Sequence, residues 1–399
     1  MIIQRNEYLN SLISFRDKKL IKIVTGIRRC GKSTLFELFQ GYLLESGINA
    51  EQIISINLEE GEYNEIETYK QLYQFINEKI NPAKKMYIFI DEVQRVTEFQ
   101  KAVDSLYVKK NCDIYITGSN AYLLSGELAT LLSGRYVEIR MLPLSFKEYI
   151  SAFPADTNIE RLYMNYIHNS SFPYALEIPK PKDRRQYLQG IFDTVILKDI
   201  IARKKFPDIA MLKSVTRFMF DNVGNLCSTK KIADTMTHEG RKIAVNTVES
   251  YLTALTDCFI FYQIGRYDIK GKQYLKTGDK YYAVDIGLRY VLLGTKDADR
   301  GHILENIVFL ELLRRGFELY IGKVEKAEVD FIAIGDMGEE YYQVAYTVID
   351  TDGATLRREL APLFAIKDHN PKYLLTMDKT PITSHNGVKQ INVLDWLIK

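Results

Sequence analysis

The sequence predicts an α/β protein: a parallel sheet with a helical lid, then a module of helices with a hairpin, then a second, separate α/β module. Five runs rich in β-branched residues, near positions 20, 53, 87, 113 and 136, alternate with helix-like stretches, the order of parallel strands joined by crossovers. The first run leads into Gly26-Ile27-Arg28-Arg29-Cys30-Gly31-Lys32-Ser33, and a helix-like run follows at 35–44. The third, Tyr87-Ile88-Phe89-Ile90, is apolar without interruption and ends in Asp91-Glu92, as expected of a central strand covered on both faces.

At 399 residues the chain exceeds what one core holds, and roughly two to four domains are expected. Its 46% hydrophobic content is that of a globular protein, and a formal charge of +2 gives no global field for nucleic acid, though a local basic patch is compatible with it. Cys30, Cys112, Cys227 and Cys258 lie far apart without C-x-x-C spacing, which argues against a zinc ribbon or a disulfide framework. Polar Gln4, Arg5, Asn6 and Glu7 stand where a signal peptide needs an apolar core, and no apolar run reaches membrane-spanning length. A cytoplasmic protein without a membrane segment is the expectation.

Residues 1–19 read as an amphipathic lead-in with Tyr8, Leu9, Leu12 and Ile13 on one helix face. Residues 26–33 then fit G-x-x-x-x-G-K-[ST] in its strand–loop–helix setting, a P-loop. The glycines let successive N–H groups face one anion, and the following helix adds its positive dipole end. Gly26, Arg29, Cys30, Gly31, Lys32, Ser33 and Thr34 are the candidate ligands of ATP, with Lys32 reaching the β- and γ-phosphates and Ser33 holding Mg²⁺. Residues 52–58 form the second strand, and a helix at 67–80 ends at Asn81-Pro82. The third strand has the Walker B form. Its acids are expected at the same edge as the loop, Asp91 in the Mg²⁺ shell and Glu92 polarising the attacking water, unless Glu92 only ends the strand.

The fourth strand, 113–117, ends in Gly118-Ser119-Asn120, and Asn120 or Ser119 is the candidate γ-phosphate sensor. A helix over 121–132 leads to Ser133-Gly134-Arg135 and the fifth strand. Arg135 is the candidate arginine finger of a ring-forming ATPase, with a surface salt bridge as the alternative. From 145 to 205 the pattern is helical, which suits a lid, and Arg184, Arg185 or Arg203 is available for phosphate. Three helices near 211–220, 228–236 and 246–256, then strands at 259–264 and 280–284, spell a winged helix. Its third helix carries Glu249 and no Lys or Arg, so the expected DNA donors are absent there. Arg241 and Lys242, and Arg266, Lys270, Lys272 and Lys276 in the wing, leave backbone contact open beside protein docking.

The last stretch orders a helical acid, Glu305, before strand acid Asp330 and a hairpin-linked strand, the order of PD-(D/E)-x-K nucleases. Where that motif needs a second acid and a lysine, the chain reads Gln343-Val344-Ala345, so cleavage is not expected.

On residues 26–34, 89–92, 117–119, 134–135, 143–146, 329–331 and 343–344, the chain resembles a prokaryotic group of AAA-type ATPases near the archaeal STAND-like branch, with a C-terminal domain of unknown function built on a nuclease-like core. The resemblance implies ATP binding and hydrolysis with Mg²⁺ in the cytoplasm. The expected boundaries are 1–144 for the ATPase core, 145–208 for the lid, 209–298 for the winged helix and 299–399 for a restriction-endonuclease-like domain without activity. Partners beyond ATP stay open between DNA, through the winged helix and wing, and a protein partner or homo-oligomer. The corresponding readings are an ATP-driven module on DNA and an ATP-regulated signalling or scaffold switch.

Overall fold

A computed structural model of the chain describes residues 3–119, 132, 134–201, 206, 208–294 and 299–399. Asn120, most of the helix expected after it, Ser133, Arg203 and the side chain of Lys276 lie outside the described residues. The chain divides into two compact units, Ile2–Pro143 with Asp257–Phe259, and Leu144–Thr256 with Ile260–Lys399.

In the first unit the order is α1 (Asn6–Phe15), β1 (Ile21–Thr25), α2 (Lys32–Glu45), β2 (Ile53–Asn57), α3 (Tyr69–Lys79), β3 (Met86–Asp91), α4 (Phe99–Val108), β4 (Cys112–Gly118) and β5 (Tyr136–Arg140). The strands make one parallel sheet, ordered β2-β3-β4-β1-β5, at the expected positions. Strand alternation sorts the side chains. Phe89 and Tyr115 stack at 4.8 Å on one face, where Phe36 and Phe39 of α2 meet them. Ile88, Ile90, Ile114 and Ile116 cluster with Leu72 and Ile76 of α3 and Ala102, Val103 and Leu106 of α4. Covering both faces explains why β3 is apolar up to its closing Asp91.

Two polar residues break the apolar rule deep in this sheet. The Lys22 ammonium of β1 donates to Asp113, two residues before its register partner Tyr115 on β4, and to the Lys18 carbonyl at 2.9 Å. Both side chains are almost fully buried. Asp113 also accepts from the Tyr115 hydroxyl at 2.8 Å and from the Asp17 N–H at 2.9 Å.

The second unit opens on a capping box: Ser145 Oγ accepts from the Glu148 N–H at 3.0 Å, and the Glu148 carboxylate accepts from the Ser145 N–H at 2.8 Å. Helices Phe146–Ser151, Ile159–Asn169 and Pro181–Thr194 follow, and a π-helical segment, Val195–Ile201, continues directly from the third. Helices Ile209–Asp221, Thr229–His238 and Val245–Asp257 come next, with β6 (Leu226–Cys227) among them and the hairpin β7 (Phe261–Asp268) and β8 (Gln273–Ala283) after them. After helices Ile286–Leu293 and Arg300–Arg314 come β9 (Glu318–Val324), β10 (Ala327–Gly335) and β11 (Gly338–Ala345), then helix Ala354–Ala365. β12 (Lys372–Thr376), β13 (Thr383–His385), β14 (Val388–Asn392) and helix Val393–Ile398 close the chain.

The sequence reading places a domain boundary at 298/299. In the structure β7 pairs in parallel with β9, so one nine-stranded sheet, β13-β14-β12-β11-β10-β9-β7-β8-β6, runs across that position. A hairpin has two edges to satisfy, and pairing β7 with β9 removes one of them. Among the described residues no helix is long and apolar enough to cross a membrane.

Removing one partner of the buried pair tests how the first sheet is held. Asp113→Ala strands the Lys22 ammonium in the sheet and should cost about 3–5 kcal/mol in urea unfolding, whereas replacing both residues by apolar ones should cost less.

Candidate nucleotide-binding site

The strand order places β4 between β1 and β3, so the carboxyl ends of these three strands form one edge. The loop 26–31 leaves β1 there and enters α2. Gly26 has φ +151 and Gly31 φ +105, conformations that side chains rarely adopt. A Cβ on Gly26 would also stand 2.2 Å from the Met141 carbonyl oxygen, so only glycine fits. The first-turn N–H groups of α2, which follow the loop directly, have no intrahelical acceptors, and Gly31 supplies no side-chain cap.

Three charged side chains converge on this edge: Lys32, Asp91 and Glu92 are 5%, 6% and 7% exposed. The Lys32 ammonium donates to the Gly26 and Ile27 carbonyls at 3.0 and 3.3 Å and lies 3.6 Å from Glu92 Oε1. Thr117, at the end of β4, ties the acids together: its hydroxyl donates to Asp91 and accepts from the Glu92 N–H at 2.9 Å. That bond helps hold Glu92 at φ +53, an uncommon backbone for a residue other than glycine. The Glu92 carboxylate also accepts from the Ser119 hydroxyl at 3.1 Å and from the Gln94 amide.

The two carboxyls are pushed in opposite directions. Burial raises Asp91 above its ordinary value, outweighing hydrogen bonds from Ser33 and Thr117. Burial also acts to raise Glu92, but the Lys32 ammonium, the Arg28 guanidinium and hydrogen bonds from Gln94 and Ser119 outweigh it and hold Glu92 below the usual range. The edge therefore carries a carboxylate kept charged beside a cation. Ser33 and Asp91, already hydrogen-bonded, offer the hard oxygen donors that suit Mg²⁺. Among the described residues no group of three or more His, Cys, Asp or Glu is arranged to hold a metal, so an ion here would need further oxygens from phosphate or water.

Arg28 pairs with Glu59 at 2.9 Å, Arg29 is exposed at φ +67, and the Cys30 thiol is buried. Thr34, with Leu38 and Tyr42 of α2 and Leu9 of α1, lines a cleft of about 300 Å³. Ser119 joins the cluster, and Asn120 lies outside the described residues.

Arg135 does not join it. Because β5 runs parallel to β1, the residue before β5 sits at the amino edge: the Arg135 carbonyl accepts from the Ile21 N–H at 2.8 Å, at the far end of β1 from the loop. Its guanidinium donates to Asp104 at 2.5 Å and lies over the Tyr107 ring at 5.5 Å. Four residues of strand, about 13 Å, separate that end from Thr25.

The roles of three contributors were missed. Gln94 carries no motif signature, and Thr117, although within the 117–119 stretch, was assigned no part in the site, since its contacts come from β4 lying between β1 and β3. Arg5 precedes α1 and is 3% exposed, and its guanidinium donates to the Cys30 carbonyl at 3.0 Å and the Leu142 carbonyl at 2.7 Å.

In the second unit, Glu305 and Asp330 face a lysine that the sequence did not associate with them. Lys280 of β8 lies 2.9 Å from Glu305, 3.0 Å from Glu328 and 3.9 Å from Asp330. Burial acts to lower the Lys280 pKa, but the three acids outweigh it and raise it. Asp330 is raised by burial and by Glu305, and its carboxylate accepts from the Val344 N–H at 2.9 Å. Gln343 donates to Glu359 at 2.9 Å. A lone lysine opening the run Tyr281-Tyr282-Ala283-Val284 was the available signal.

The AAA domain family matches residues 18–150, and a Domain of unknown function (DUF8612) matches residues 160–299. An uncharacterized protein of Haemophilus influenzae is 43% identical over 402 aligned positions, covering 100% of this chain and 99% of its own. An uncharacterized protein of Methanocaldococcus jannaschii is 30% identical over 351, covering 83% of this chain and 76% of its own. Among solved structures, a Walker-type ATPase of Pyrococcus abyssi superposes with a TM-score of 0.51 at 15% identity, over 73% of this chain and 96% of its own, which speaks to fold alone. The chain belongs to the family of these uncharacterized Haemophilus and Methanocaldococcus proteins, and its N-terminal part is similar to AAA domains.

Proposed function

We propose that the chain binds ATP with Mg²⁺ at residues 26–34 and hydrolyses it, with nucleotide state controlling the second unit. The observation that carries this is the convergence of Lys32, Asp91 and Glu92, all nearly buried, at the edge where the loop enters α2. A buried ammonium and two buried carboxyls are expensive to maintain, and phosphate with a divalent ion is the ligand whose charges match them.

In this reading the loop amides and Lys32 hold the triphosphate, and Ser33 and Asp91 hold Mg²⁺, which would neutralise charge on the phosphate oxygens. Glu92, kept ionised, accepts the proton of the attacking water, while Ser119 and Gln94 fix its orientation. Of the two outputs left open by the sequence, a protein-directed switch is favoured by the charges of the hairpin. Arg266 lies 3.7 Å from Glu328, Lys270 3.5 Å from Glu325, and Lys323 of the adjoining β9 3.9 Å from Asp268, so cations suited to a DNA backbone already face acids. The Glu305–Asp330 site is read as structural and without nuclease activity, with Lys280 supplying the cation.

Lys32→Ala should weaken binding of a fluorescent ATP analogue about 100-fold or more. Glu92→Gln should retain binding while phosphate release falls by about 10²–10³; an unchanged turnover rate would remove Glu92 from the mechanism. A duplex-DNA titration at low salt, with and without ATP, should be flat on the switch reading. Binding that weakens steeply with added salt would favour the DNA reading instead.

A further inference from the structure

The backbone just before Pro143 is bound to the phosphate loop more closely than strand pairing requires. β5 ends at Arg140, beside Thr25, and the Met141 N–H donates to the Thr25 carbonyl at 2.7 Å. Directly after Thr25 comes Gly26, whose missing side chain lets the loop lie against the Met141 carbonyl. Arg5 then spans the two segments. One arm of its guanidinium donates to Cys30 O in the loop at 3.0 Å, and the other to Leu142 O at 2.7 Å, with Pro143 O at 3.5 Å. Tyr8, one turn on, accepts from the Leu142 N–H at 3.1 Å, and the Arg5 guanidinium lies 4.9 Å from its ring centroid.

These bonds join the residues that would wrap a phosphate to the segment through which the chain leaves its first compact unit. A planar fork can hold two carbonyls in fixed relation, and burial keeps water from replacing either one. The Cys30 carbonyl belongs to the peptide that supplies the Gly31 N–H, so any reorientation of the loop around an anion acts on the atom Arg5 holds.

We infer that Arg5 is a positioning residue that fastens the phosphate loop to residues 141–143, so that nucleotide binding at the loop stiffens the exit toward the second unit. The inference rests on the reading that residues 26–34 bind ATP. Its test reads two quantities in the full-length chain: affinity for a fluorescent ATP analogue, and amide hydrogen exchange at Met141 and Leu142 with and without Mg²⁺ and ATP. In the wild-type chain ATP should slow exchange at both amides about tenfold or more. In Arg5→Met the analogue should still bind, within about tenfold of wild type, and the slowing should shrink to less than about twofold. Arg5→Lys, which keeps the charge but not the fork, should give an intermediate slowing and decides the matter if Arg5→Met does not fold. Wild-type slowing in either folded variant would overturn the inference. If the wild-type chain binds the analogue without slowing at Met141 and Leu142, the staple fails and the ATP reading stands; if it binds no analogue, both fail.

Discussion

Lys32 and Glu92 face each other at 3.6 Å with almost no access to water, and the first unit is built around keeping that pair, with Asp91 beside it, satisfied. Burying three ionisable groups is tolerable only when each has partners. Loop carbonyls serve Lys32, Ser119 and Gln94 serve Glu92, and Thr117 and Ser33 serve Asp91. Those partners come from β3, β4 and the loop after β1, from the short segments that leave the strands and, for Ser33, from the first turn of α2. The parallel order β3-β4-β1 is what brings the three ends to one edge, and the aromatic face of α2 and the aliphatic faces of α3 and α4 hold that order in place.

The second unit solves a related problem with a protein cation. Glu305, Glu328 and Asp330 are gathered by the folding of β8, β10 and helix Arg300–Arg314 around one another, and Lys280 comes to lie within reach of all three. The same contact ties the hairpin β7–β8 to the strands that follow it, which accords with a sheet that continues from β8 through β7 and β9 to β10. Electrostatics and strand pairing here point to one integrated body rather than two modules in series.

Much of this was legible in the chain. The strands could be read because a doubly covered parallel strand is an unbroken apolar run, and β3 is the clearest case. Residues 26–33 and 91–92 could be read because phosphate chemistry needs those residue types at that spacing. What escaped the sequence depends on who becomes whose neighbour. Thr117 is an ordinary strand threonine until β4 is known to separate β1 from β3. Arg5 looks like a surface residue before an amphipathic helix until the Cys30 and Leu142 carbonyls are seen on either side of it. Arg135 was open between a finger reaching a neighbouring subunit and a surface salt bridge; within the chain its guanidinium pairs with Asp104 at the amino edge of β5. Lys280 and the β7–β9 pairing depend on contacts dozens of residues apart, for which local pattern gives no register.

A crystal structure of the Glu92→Gln chain with Mg²⁺ and ATP tests the central claim most directly. The account predicts a triphosphate wrapped by residues 26–33, with the Lys32 ammonium moved from the Gly26 and Ile27 carbonyls to within about 2.7–3.2 Å of β- and γ-phosphate oxygens. It also predicts the ion between Ser33 and Asp91. ATP bound elsewhere, with Lys32 still on its own loop carbonyls, would contradict it.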